Sequence, residues 1–148
     1  MMKIIIDADA SPVVPIVEEV AKEYQIDLMI VSDINHFIQS EYGEVITVDA
    51  GFDQADHEII KRVNQGDLVI TQDYGLASLV LLKGAYALHQ DGWFYTEKNI
   101  DGLLLQRQIG QKMRKAKKRY KQMPKRTQSV DDQFKQTLID FLKKDATK

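Results

Sequence analysis

"DLVITQDYGLASLVLLKGAYAL", residues 67–88, decides how the rest of the chain is read. "DLVIT" (67–71) is a short apolar, β-branched run, "LASLVLLK" (76–83) is a helical stretch apolar almost all round, and "AYAL" (85–88) returns to strand. A strand, a helix and a strand in close succession form the unit from which parallel sheets are built, with helices covering both faces.

Outward from that stretch the alternation holds. "KIIID" (3–7) is a continuous β-rich run, and Pro12 with Pro15 then marks a helix start followed by apolar Ile16, Val17 and Val20. "LMIVS" (28–32) and "VITVD" (45–49) are two further strand candidates. "FDQADHEIIKRV" (52–63) sets Phe52, Ala55, Ile59, Ile60 and Val63 at helical spacing. "DGW" (91–93) offers a turn, and the remainder reads as helical, broken near Pro124. We expect one α/β domain over residues 1–148, with a core over about 1–104 and a basic, helical C-terminal extension over about 105–148; no repeat interrupts it.

Composition excludes several classes. The chain has no cysteine, so disulfides, thiolate nucleophiles and Cys-based zinc sites are impossible, and any metal must sit on oxygen or histidine. No run approaches the roughly 18 apolar residues of a membrane span, and the N-terminus enters a strand rather than a signal segment, which reads as cytoplasmic with no membrane partner. The net charge of -2 hides a separation: residues 1–106 carry 18 acidic and 6 basic side chains, whereas residues 107–126 carry 10 basic and none acidic. Such asymmetry points to nucleic-acid or membrane contact, or equally to a basic segment docking on its own acidic body.

The acids cluster by position. In parallel sheets, ligands bind at the carboxyl ends of strands, near the point where strand order reverses. Asp7 and Asp9 in "IIIDADASP" stand there, on the same side and about 6.6 Å apart if the strand continues. Asp73 ends "LVITQD" in the same way, and Asp53 with Asp56 opens the helix after Gly51. Plain readings exist: Asp9 and Asp53 suit a turn or an N-cap, and Asp56 gains from the helix dipole. A carboxylate directly after a buried strand, as at Asp7 and Asp73, costs more unless a cation or strong donor meets it. His57 and His89 lack metal-ligand spacing and read as ordinary polar residues.

The blocks "DADASP", "AGFDQADHEI", "GDLVITQDYGLASLVLLKGA" and "YTEKNI" resemble the YaiI/YqxD family of bacterial proteins, over about residues 3–104 and more weakly beyond. That family is similar in turn to PIN domains, which implies a parallel sheet of order 3-2-1-4-5 and an acidic cluster binding magnesium or manganese. The resemblance makes Asp7 the first-strand acid, Asp56 the middle helix acid and Asp73 the acid of a T-x-D element. Asp9 and Asp53 match blocks of the YaiI/YqxD family alone. Many members read "DADACP" where this chain has Ser11, which implies that a thiol there is dispensable.

Such a site would support metal-assisted phosphodiester hydrolysis, with Asp7, Asp9, Asp56 and Asp73 catalytic and Asp53 an added ligand for Mg2+ or Mn2+. RNA is preferred over single-stranded DNA as partner by resemblance alone. The positive segment, with Arg114, Lys115, Lys117, Lys118, Arg119 and Lys121, would meet phosphates. Its plain alternative is a core-facing stripe of Met113, Ala116, Tyr120 and Met123 with the charges solvated. Trp93 and Phe94 could stack on bases but fit a core edge better. Two other functions use the same residues. One is a haloacid-dehalogenase-type phosphatase, with Asp7 as nucleophile, Asp9 as acid/base, then Thr71 and Lys83; its further acidic pair could only be Asp131–Asp132. The other is a non-catalytic nucleic-acid-binding module on a PIN-like scaffold. The oligomeric state is not legible.

Overall fold

The computed structural model describes residues 2–9, 11–35, 38–51, 54–102 and 126–146. Strands β1 (Lys3–Asp7), β2 (Asp27–Asp33), β3 (Glu44–Val48), β4 (Leu68–Ile70) and β5 (Tyr86–Leu88) form one sheet in the order β3-β2-β1-β4-β5. Every strand pair is parallel. Helices α1 (Val14–Glu23), α2 (Gln54–Arg62) and α3 (Tyr74–Leu82) make crossovers, and α4 (Gln128–Ala146) closes the fold. Residues 97–102 are also helical. The α/β class is that expected from the sequence pattern, and the strand order is that implied by the family resemblance. Among the described residues no helix is long and apolar enough to cross a membrane.

Ile4, Ile5 and Ile6 are wholly buried because the sheet is covered on both faces, so a central strand reads as an unbroken apolar run rather than an alternating one. Successive side chains point to opposite faces. Ile4 and Ile6 pack with Val17 and Val20 of α1 and Phe134 and Leu138 of α4. Ile5 packs with Ile59 of α2 and with Leu76, Ala77 and Val80 of α3. Pro15 fits the first turn of α1, where no N–H is needed and its fixed φ is already helical.

β4 and β5 have three residues each, shorter than the apolar runs suggest, because their flanking residues serve elsewhere. Asp67 is buried at the amino edge of the sheet, where its carboxylate accepts from Lys3 Nζ at 2.7 Å, Lys3 N at 3.0 Å and Asn64 N at 2.8 Å. It ties β4 to β1 and is thereby fully matched. α3, apolar almost all round in sequence, buries Leu76, Ala77 and Val80 but leaves Leu79 and Leu82 exposed.

α4 buries Phe134, Leu138 and Leu142, spaced four apart, against the face shared with α1. Each contributes about 1.5–3 kcal/mol in removing an apolar side chain from water. The turn after β5 is fitted to it: Gly92 has φ +91°, and a Cβ there would lie 3.0 Å from the Phe134 backbone. Arg126 donates to Asp91, to Asp131 and to the Gln90 carbonyl, joining that turn to the start of α4. The break expected near Pro124 and the basic residues Arg114, Lys115, Lys117, Lys118, Arg119 and Lys121 lie outside the described residues, as does Asp53.

Candidate functional site

Strand order reverses between β1 and β4, and a cleft of about 570 Å³ opens at their carboxyl ends. Its acidic lining is Asp7, Asp9, Asp33, Asp56 and Asp73. The fold therefore brings together four acids singled out in the sequence and adds a fifth.

Asp7 is the last residue of β1, on the same face as Ile5, and is only partly exposed. Burial pushes its carboxyl up to about 6, and the negative charges of Asp9 and Asp73 push in the same direction. Thr71, buried just past β4, opposes this by donating its hydroxyl to Asp7 Oδ2 at 3.0 Å. The same Thr71 oxygen accepts from Asp73 N at 3.0 Å, and its carbonyl accepts from the Tyr95 hydroxyl at 3.1 Å. Thr71 thus sets the spacing of two acids from neighbouring strands.

Asp73 caps α3: its Oδ1 accepts from Gly75 N at 2.8 Å and Leu76 N at 3.3 Å. The cap matches the plain reading of Asp73, whose side chain also lines the cleft. Asp9 accepts from Asp33 N at 3.0 Å through Oδ1, which locks the loop after β1 to the end of β2. The register explains the pairing, because Asp7 lies level with Val31 and Asp9 and Asp33 each follow two residues later. Asp33, whose Oδ1 in turn accepts from Asn35 N at 2.9 Å, was missed in sequence. Its signal was present: an acid ends the apolar run "LMIVSD", as at Asp7. Asp56 sits in the first turn of α2, where the helix dipole favours an anion.

Other singled-out residues fall away from the cleft. Lys83 ends α3 at the opposite edge of the sheet and donates to the Ile60 carbonyl at 2.6 Å. Asp131 is paired with Arg126 at the start of α4. His89 accepts from Asp91 N at 3.0 Å and stacks on Trp93 at 4.4 Å, and burial lowers its pKa. Trp93 and Phe94 are partly buried against the two cores, the core-edge role.

The donor set is all oxygen, which is the chemistry of a hard divalent cation. Among the described residues, no three His, Cys, Asp or Glu side chains are already arranged to hold a metal ion. Magnesium takes only one or two carboxylates with waters completing its shell, and Asp7 and Asp73, close enough for their charges to interact, are the pair that could supply them.

The family described as "Uncharacterized BCR, YaiI/YqxD family" matches residues 5–144. Proteins described as "UPF0178 protein" are similar over nearly the whole chain. The one from Alkaliphilus oremlandii is 48% identical over 141 residues, covering 95% of this chain and 91% of the relative. The one from Natranaerobius thermophilus is 50% identical over 141 residues, covering 95% and 96%. The one from Enterococcus faecalis is 46% identical over 146 residues, covering 97% and 99%. Among solved structures, the chain is similar to Rae1 (YacP) from Bacillus subtilis, with a TM-score of 0.48, 15% identity and both chains covered in full.

Proposed function

The chain belongs to the YaiI/YqxD family, whose description assigns no activity, and from its site we propose that it is a divalent-metal-dependent nuclease hydrolysing phosphodiester bonds of nucleic acid, RNA before DNA. One observation carries the reading: Asp7 is held partly buried between the charges of Asp9 and Asp73, at the reversal of strand order, with its carboxyl raised to about 6. Gathering like charges in a half-buried cleft destabilises the fold, and such cost is tolerated where function requires it.

Asp7 and Asp73 would hold Mg2+ or Mn2+, with Asp56 and Asp9 beside them in the same cleft. A bound ion would supply the Lewis acid that activates water and stabilises the departing oxygen. Thr71 keeps the Asp7 carboxylate oriented and lowers its proton affinity, so that it is ionised at neutral pH. Asp33 N–H steadies Asp9, leaving the loop after β1 fixed while substrate enters. The basic segment over 107–126, outside the cleft in sequence, supplies the positive charge that a polyanion needs. A nucleic-acid substrate and a cysteine-free chain suit the cytoplasm.

The phosphatase reading loses support because neither Lys83 nor Asp131 lines the cleft that holds Asp7. The deciding assay incubates the protein and Asp73→Asn with manganese on single-stranded RNA, single-stranded DNA, branched DNA and a phosphate monoester. Cleavage of nucleic acid that the variant loses supports the nuclease; monoester hydrolysis would favour the phosphatase, and binding without cleavage the non-catalytic module.

A further inference from the structure

A second cavity, of about 380 Å³, lies between the end of β3 and α2, lined by Thr47, Asp49, Gln54, His57, Glu58 and Lys61. Gln54 also lines the acidic cleft, so the two share a wall. Their chemistry differs. The charged groups of the acidic cleft are all carboxylates, whereas the second cavity sets His57 and Lys61, four residues apart on one face of α2, across from Asp49 and beside Glu58. Glu58 is spent on Arg62 at 2.8 Å. Among the described residues neither His57 nor Lys61 has a hydrogen-bond or ion-pair partner, and both are exposed.

An exposed lysine without a partner, next to a cleft full of acids, has an evident use if a polyanion lies across both. A strand with one phosphate over the carboxylates places its next phosphate about one nucleotide away, where the carboxylates would only repel it. We propose that this second cavity seats the neighbouring sugar-phosphate unit of the same strand, with Lys61 and His57 as its phosphate contacts; the proposal rests on the nuclease reading above. Asp49 and Thr47 on the opposite wall offer acceptors, the match for a sugar hydroxyl rather than for phosphate.

The test measures binding of a fluorescein-labelled decauridylate in chelator, across a salt series, for the parent and Lys61→Gln. Each phosphate that a variant no longer neutralises on a single strand should reduce the log–log salt slope by about 0.7. With manganese, Lys61→Gln should raise KM for the decauridylate about fivefold, the upper end for one exposed ion pair, with kcat held. Hydrolysis of bis(p-nitrophenyl) phosphate, a diester with no neighbouring unit, should be unchanged by the same substitution. An unaltered slope, or an equal loss on both substrates, overturns the subsite, as does a parent that does not bind the decauridylate. A parent that binds it and cleaves nothing would sink the nuclease reading, while the slopes still decide the subsite.

Discussion

Thr71 donates its hydroxyl to Asp7 Oδ2 at 3.0 Å while accepting from Asp73 N at 3.0 Å, so one buried oxygen governs the placement of both strand-end acids. Thr71→Val keeps the shape and removes both roles. Because the Thr71 bond lowers the Asp7 pKa, its loss should move that pKa further up, and the unmatched groups should cost about 1–3 kcal/mol of stability. Thr71→Ser, which keeps the hydroxyl, should restore the titration. A carboxyl pKa followed by NMR in the three proteins would refute the role if it stayed constant.

Asp7→Asn should make the metal-free protein more stable at neutral pH. The folded carboxyl titrates near 6 against 3.8 when exposed, so its favourable contribution is complete below pH 3.8 and is lost as pH rises through 6. The variant lacks that loss. It should exceed the parent by between about 1 and 3 kcal/mol at pH 7.5, the upper figure being the full shift, and converge with it near pH 4. Added manganese should stabilise the parent more than the variant. Denaturant melts in chelator and in manganese decide it, and a variant destabilised at pH 7.5 in chelator would mark Asp7 as merely structural.

Asp73 separates its two roles by substitution. Asn caps helices about as well as Asp, so Asp73→Asn should hold stability within about 0.5 kcal/mol, whereas Asp73→Ala should cost about 1 kcal/mol. Both should abolish cleavage. Activity retained in Asp73→Asn would reduce the residue to a cap.

Neutralising Lys115, Lys117, Lys118 and Arg119 together should weaken nucleic-acid binding, and its salt slope should fall by about 0.7 for each phosphate of a single strand left without its cation. Fluorescence anisotropy across a salt series measures this directly. A slope equal to the parent's would assign these charges to a solvated face.

The kinds of element and their sequence were legible in the chain because local periodicity reports burial: Ile4, Ile5 and Ile6 had to lie in a strand covered on both faces, and the absence of cysteine limited any metal site to oxygen and histidine. The carboxyl-end positions of Asp7 and Asp73 were equally plain. Their partnership was not. Thr71 reaches Asp7 across 64 residues and Asp33 reaches Asp9 across 24, distances at which only strand order and register decide what meets. The same long-range placement put Lys83 at the opposite edge, although it follows Thr71 closely in sequence, because a helix carries the chain back across the sheet. It also set Phe134 beneath the turn at Gly92. Local chemistry named four of the five acids, and only the packing of parallel strands determined which of them share one cleft.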